Sequence, residues 1–379
     1  MKIETVTAYP ISFPIPEKFG VTLGIGRAVK RDAVLVKVTT SDGIVGWGES
    51  HAGRAPGAIA QLANTTLRTL ITGMDAADVV GVWDRIYRMQ LASHGTGAAC
   101  AIAMSGIDMA LWDIRGKATG WPVHKLLGGT AKHIPAYAGG VSLGYQPPQE
   151  LAGEASGMVE AGYCALKLRL GDTSANDIAR VQAVRAQLGD RIDILTDANA
   201  AYQLSDARSV FPALDEANVG WLEEPFPPHD YRRYREARTF GRTPLAAGEN
   251  HYTRFELHRA IEDSAITIIQ PDLSKTGGIT EAQRIAAMAS AWKLSFNPHT
   301  SVTGLNVAAS IHLLSSIDNA GYYEADLSAY NPLRDDLCSW KADVAPDGTV
   351  IAPDGPGLGV DVDEALLDKF PVIEGPGYV

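Results

Sequence analysis

Three acidic residues recur along this chain at equal spacing. Asp197 ends the run ILTD, Glu223 ends GWLE and Glu249 follows PLAAG, with gaps of about 26 residues. That interval is the length of a strand-plus-helix repeat. Each carboxylate stands where a short apolar run gives way to a loop. On parallel neighbouring strands the three would converge at one end of the sheet. Three hard oxygen ligands at one point suit a divalent cation, Mg²⁺ first.

The elements that must position them are legible from the same texture. After about His133, short apolar runs alternate with longer amphipathic ones: IPAYAG, ALKLRL, DILTD, VGWLE, TPLAAG, ITIIQPD, LSFNPH and GYYEAD. Eight strands with intervening helices over roughly 200 residues are what a (β/α) barrel requires. No G-x-G-x-x-G or G-x-x-x-x-G-K-[ST] loop points to an open nucleotide-binding sheet instead. Ahead of the barrel, KIETVTAYPISF alternates polar and apolar, and AVLVKVTTSDGIVGWGE reads as a hairpin about a Ser-Asp-Gly turn. From Pro56 to about Gly128 the period is helical. GAACAIAMSGIDMALWDIRGKATG is expected to carry its Ala, Ile, Met and Leu on one side and to end at Gly120 and Pro122. The stretch TVIAPDGPGLGVDV, past the eighth strand, is expected to return to the N-terminal layer.

The chain has 379 residues, more than one core usually supports. Its net charge of −11 makes nucleic acid and anionic membranes poor partners, so an anionic substrate needs a local positive patch. Cys100, Cys164 and Cys338 share no metal-like spacing, and an odd number argues against a disulfide framework. Cys164 lies in an apolar run and is expected to be a buried, inert thiol. Glu4 and two early prolines interrupt any signal-peptide core, and no run approaches the ~18 apolar residues of a membrane span. These features lead us to expect a cytoplasmic protein.

Barrel chemistry sits at the C-terminal strand ends. Reading those positions gives Lys167 and Arg169, Asp197 and Asn199, Glu223 and Glu224, Glu249 and Asn250, Asp272, His299 and Glu324. Any one of them alone could be a solvated loop charge; the set in register argues for a site. Of Glu223 and Glu224 only one should point inward. Glu223 keeps the spacing, which leaves Glu224 to partner a nearby cation. Lys167 and Arg169 share a strand face, and their repulsion is expected to lower the Lys167 pKa and free an amine for base chemistry. Arg169 should stay charged, as an electrostatic clamp. Asp272 and His299 end adjacent strands, and a carboxylate behind an imidazole makes a general base. The other eight histidines show no such pairing and read as structural or surface residues.

This set resembles the enolase superfamily, and within it the mandelate racemase subgroup. The matching residues are Lys167-Leu-Arg169, Asp197-Ala-Asn199, Glu223-Glu-Pro225, Gly248-Glu249-Asn250, Asp272 with Gly277-Gly278, and Pro298-His299. SGIDMALWDIRGK and PDGPGLG look like the framing segments of its capping domain. The resemblance implies an α/β fold: a modified TIM barrel, (β/α)7β, over residues 129–328. An α+β capping domain over 1–128 would be completed by residues 329–379. It implies one Mg²⁺ per subunit, with Mn²⁺ as a substitute, held by Asp197, Glu223 and Glu249. The shared first step is loss of the α-proton of a carboxylate substrate to give an enediolate. His299, oriented by Asp272, would be the base on one face, with Lys167 and Arg169 on the other. Glu324 resembles the acid that hydrogen-bonds the substrate carboxylate, and a homo-oligomer, dimer to octamer, is expected.

Two departures narrow the reaction. Arg169 stands where the family motif has a second lysine, and arginine is a very poor base. Glu324 is followed by Ala325 and Asp326, where a proline is usual. One-base chemistry therefore fits best: dehydration of an aldonate or aldarate to a 2-keto-3-deoxy acid. The alternatives are a cycloisomerase acting on a lactone or anhydro-sugar acid, a racemase or epimerase of a 2-hydroxy acid, and a catalytically silent barrel that binds a sugar acid. Residues 16–28 and 51–56 are expected to cover the barrel mouth, with His51 and Arg54 binding substrate and Gly24 and Gly26 suiting a mobile lid.

Overall fold

The computed structural model describes residues 1–93, 97–263, 265–300 and 302–379. The alternating N-terminal run is strand β1 (Ile3–Pro14). A small hairpin of β2 (Thr22–Leu23) and β3 (Gly26–Arg27) follows. The predicted second hairpin is β4 (Lys30–Thr40) with β5 (Val45–His51). These make an antiparallel sheet in the order β1-β4-β5.

The Ala98–Thr119 helix lies against β5 at backbone distance. A Cβ on Gly48 would sit 2.1 Å from the Gly106 carbonyl oxygen, so glycine is required there. This helix does not present one apolar side: every residue from Cys100 to Ile114 is buried. The reason is a second packing partner, the Gly278–Ala291 helix of the barrel. Trp112 Nε1 donates to Thr280 Oγ1 at 2.9 Å, and Thr280 N to Asp108 Oδ2 at 3.0 Å. A helix covered on both sides is apolar all round. Gly120, at φ 71°, ends it as expected.

The barrel strands are β6 (Ile134–Gly139), β7 (Ala165–Arg169), β8 (Asp193–Asp197), β9 (Leu222–Glu223), β10 (Leu245–Ala247), β11 (Ile268–Ile269), β12 (Ser295–Phe296) and β13 (Tyr323–Asp326). From β6 to β12 each strand pairs in parallel with the next, a helix lies in every one of the seven intervals, and β13 pairs back onto β6. Between β12 and β13 a loop makes the closure. Phe296 N donates to Asn319 O and Gly321 N to Phe296 O, both at 2.9 Å. Tyr137, Ala165, Leu195, Trp221 and Ala246 pack together inside, beneath the mouth.

Strand β14 (Thr349–Val350) pairs antiparallel with β6, so the start of TVIAPDGPGLGVDV extends the barrel sheet rather than the N-terminal layer. The return begins later. Leu358 N donates to Asp113, Phe370 O accepts from Ser12, and Arg27 and Val379 exchange backbone bonds of 2.7 and 3.0 Å. Cys164 is exposed, contrary to expectation, because it precedes β7 at the edge away from the core. Among the described residues no helix is long and apolar enough to cross a membrane.

Candidate active site

Strand register brings the acids level. Arg169 pairs with Asp197, Asp197 with Glu223, and Glu223 with Ala246, two residues before the Gly248-Glu249 turn. Beside them lies a cavity of about 460 Å³. Arg169, Glu249, Lys275 and His299 line it from the barrel, and His51 and Arg54 from the cap.

Lys167 sits at the centre, almost fully buried. Its Nζ lies 3.0 and 3.1 Å from the two Glu223 oxygens, 2.9 Å from Glu324 Oε1 and 3.7 Å from Asp197 Oδ2. Arg169 pairs with Asp197 through Nη1 and donates to the Gly140 carbonyl through Nη2. This corrects the expected pKa of Lys167. Burial does favour the neutral amine, and Arg169 adds to that. The carboxylates of Glu223, Glu324 and Asp197 outweigh both and hold the pKa above its ordinary value. Lys167 is an ammonium locked among acids, not a free base.

His299 Nδ1 lies 2.7 Å from Asp272 Oδ2. The other Asp272 oxygen accepts from Ser274 N at 2.7 Å, Ser274 Oγ at 2.6 Å and Asn306 Nδ2 at 3.1 Å. Burial would raise the Asp272 pKa, but His299 first, then Lys275 and His51, hold it below the usual carboxylate range. His299 Nε2 is 2.8 Å from Glu249 Oε2. Burial opposes charge on the imidazole, yet Glu249 and Asp272 keep its pKa well above the ordinary value.

Asp197, Glu223 and Glu249 stand level without forming a cage, and of the three only Glu249 lines the cavity. Each is drawn to a cation: Arg169, Lys167, and Lys275 (3.7 Å) with His299, respectively. Among the described residues no three acidic, histidine or cysteine side chains are gathered closely enough to hold a metal ion. The donor set nevertheless fits one chemically. Burial, with Asp197, Glu324 and Glu249 adding to it, pushes Glu223 up to about 7 against the pull of Lys167. Burial and repulsion from Glu249, Asp197 and Glu223 push Glu224 well above its usual value. Among the described residues, buried Glu224 Oε1 and Asn199 Oδ1 have no hydrogen-bond partner. Excess negative charge and unpartnered hard oxygens are what a divalent cation relieves.

Among the described residues Glu224 forms no ion pair, contrary to expectation, although Lys275 feels its charge. Its backbone turns to φ 37° just past β9, and Oε2 accepts from Asn250 Nδ2 at 2.8 Å on the cavity wall. Asn250 Nδ2 also reaches Glu249 Oε1 at 2.8 Å, and Asn199 donates to both Asp197 oxygens. Both asparagines thus brace acids. Glu324 Oε1 contacts Lys167 and Gly140 N, while buried Oε2 has no hydrogen-bond partner among the described residues.

From the cap, His51 Nδ1 accepts from Gly53 N at 2.9 Å, which leaves the ring proton on Nε2. Burial first, then Lys275, pushes its pKa down to about 3, so the imidazole is neutral. Arg54 stacks over Tyr378, 5.3 Å from the ring centre. Several residues here were missed by sequence reasoning. Glu49 is buried under the dyad: its Oε2 accepts from Thr303 Oγ1 at 2.5 Å, Thr303 N at 3.2 Å and Asn306 N at 3.3 Å. Arg31 ties the cap to Asp326 at 3.1 Å. His124 and His312 stack with Nδ1 atoms 3.1 Å apart, a pairing the sequence did not reveal. The GWGE run at the end of β5 was a signal for Glu49, since Glu49 and His51 share a strand face.

Residues 150–366 match the family described as enolase C-terminal domain-like, and residues 6–128 match the mandelate racemase / muconate lactonizing enzyme N-terminal domain. An arabinonate dehydratase of Saccharolobus solfataricus is 30% identical, over 89% of this chain and 90% of its own. A 3,6-anhydro-alpha-L-galactonate cycloisomerase of Streptomyces coelicolor is 33% identical, over 92% and 93%. Among solved structures, an enolase superfamily member from Polaromonas sp. JS666 is 54% identical with a TM-score of 0.98 over the whole of both chains. A racemase from Streptomyces coelicolor with bound magnesium is 30% identical, with a TM-score of 0.88 over 98% of this chain and 100% of its own. With barrel, cap and strand-end residues in this arrangement, the chain belongs to the mandelate racemase / muconate lactonizing enzyme family of the enolase superfamily.

Proposed function

We propose that this chain removes the α-proton of a sugar acid in the presence of Mg²⁺ and then eliminates water, giving a 2-keto-3-deoxy acid. One observation carries the reading: the His299–Asp272 pair, at 2.7 Å, opens on the same cavity as Glu249 and Arg169. Asp197, Glu223 and Glu249 would hold the cation. When bound, Mg²⁺ supplies positive charge where negative charge develops on the substrate carboxylate. Glu249, once it holds the cation, would no longer keep a proton on His299 Nε2, and the neutral imidazole, its Nδ1 fixed by Asp272, takes the α-proton there. The electron pair left behind forms the Cα–Cβ double bond as the β-hydroxyl departs, and the imidazolium returns its proton to that hydroxyl as water. The enol then tautomerises to the ketone. Lys167 and Arg169 stay charged opposite the base and hold the developing negative charge. Glu324 keeps Lys167 in place, and its free Oε2 is the atom left for substrate.

Two cations facing His299 offer no second base, which disfavours racemisation. Ring opening by a cycloisomerase uses the same base with a ring oxygen as leaving group, and the Streptomyces cycloisomerase supports it as the second reading. The test is a panel of aldonates, aldarates, their lactones and anhydro-sugar acids with Mg²⁺, scored for 2-keto product and for lactone or anhydro-ring consumption. No product and no α-deuterium from D₂O across the panel would overturn the proposal and mark a silent binding barrel.

A further inference from the structure

Charge pairing divides the cations that line the cavity. Lys30 lies 3.1 Å from Asp32, Arg31 3.1 Å from Asp326, and Lys275 3.7 Å from Glu249, while Arg169 is bound to Asp197. Arg54 is different. Among the described residues it has no carboxylate within ion-pair reach and no hydrogen-bond acceptor; its contact is the face of Tyr378. That ring is itself held in place. Tyr378 bridges to Ala28, Gly377 O accepts from Val29 N at 3.0 Å, and the neighbouring Val379 exchanges two backbone bonds with Arg27.

The backbone adds an independent sign. Arg54 has φ 60° and follows Gly53 at φ 54°. A left-handed arginine is strained, and such strain persists where the surroundings require a side chain to be aimed. A guanidinium stacked on an aromatic face keeps its in-plane N–H groups free for a two-toothed anion. His51, neutral with its proton on Nε2, stands on the same cap wall as a second donor.

We propose that Arg54, backed by Tyr378 and assisted by His51, forms a subsite for a terminal carboxylate at the end of the substrate remote from the reacting carbon. The preferred substrates are then aldarates, with a carboxylate at each end, over the matching aldonates. One unpaired guanidinium balances one carboxylate. A terminal phosphate, with nearly two charges, would call for a second free cation, and Lys30 and Arg31 are already paired. The inference rests on the sugar-acid reading.

Binding to the Mg²⁺-loaded His299→Asn protein, measured by calorimetry with stereochemically matched aldarates, aldonates and terminally phosphorylated aldonates, separates the two. Aldarates are expected to bind at least about tenfold tighter than either of the others. Arg54→Gln should remove most of that preference, and Tyr378→Leu should weaken it by several-fold. In the otherwise wild-type enzyme, Arg54→Gln should raise KM for the aldarate far more than for the aldonate. Equal affinity for aldarate and aldonate, tighter binding of the phosphorylated acid, or equal losses on aldarate and aldonate in Arg54→Gln would overturn the subsite while leaving the sugar-acid reading intact. Binding of none of the three classes would overturn the sugar-acid reading itself.

Discussion

Glu49→Gln tests the buried brace beneath the dyad. Burial, which the Thr303 and Asn306 hydrogen bonds only partly offset, pushes the Glu49 pKa up from 4.5 to about 8. The geometry suits a protonated acid: among the described residues Oε2 takes all the donors, while buried Oε1 has no partner and is left to carry the proton. The folded pKa lies above the unfolded one, so the folded state binds the extra proton between about pH 4.5 and 8. Stability therefore falls as pH rises through that window. At ~1.4 kcal/mol per unit, the loss between pH 5 and pH 8 is about 3–4 kcal/mol. Glutamine keeps a carbonyl for Thr303 and Asn306 and does not titrate. Relative to wild type, Glu49→Gln should gain that amount across the window, read from urea unfolding by tryptophan fluorescence at pH 5, 6, 7 and 8. A difference that stays flat, or that grows toward acid, would refute the assignment of a buried proton.

His299→Asn should keep the fold and Mg²⁺ binding, by circular dichroism and calorimetry, and lose on the order of 10²–10⁴-fold or more in turnover; normal turnover would remove His299 as the base. Arg169→Lys should gain α-deuterium exchange from the face opposite His299, and wild-type exchange on both faces would show Lys167 already working there. Saturating Mg²⁺ should raise the unfolding midpoint, by about 2.7 kcal/mol of stability at a hundredfold excess over Kd. Glu249→Gln should erase most of that shift, and an undiminished shift in the variant would place the ion elsewhere.

Much of the site was legible because barrels put chemistry at strand ends, and a strand end shows in sequence as an apolar run meeting an acid. The His299–Asp272 contact follows from that register alone. What escaped depends on contacts across the barrel or between barrel and cap. Lys167 was assigned the wrong pKa direction because its sequence neighbour, Arg169, is visible while Glu324 is not. Glu324 lies six strands later and becomes adjacent only when β13 closes onto β6. Glu224 was given a cation because alternation on a regular strand turns it away from the site; its φ of 37° breaks the alternation and returns it to the cavity wall. The Ala98–Thr119 helix looked amphipathic until a second layer covered its other side. Tyr378 sits in a segment without periodicity, and nothing in its own sequence points to Arg54.

The strands and tail that frame the cavity also set an order of events in folding. Lys37 meets Glu364 across 327 residues of chain, and Lys30 meets the Ile373 carbonyl across 343. Barrel neighbours such as β7 and β8 are joined by one helix and lie close along the chain. Contacts spanning so long a loop bear a large closure entropy and form slowly. The barrel can therefore gain its helices while the cap wall is still unfinished. During refolding, substrate binding should return later than secondary structure, because the wall that closes the cavity is assembled from the two most distant parts of the molecule.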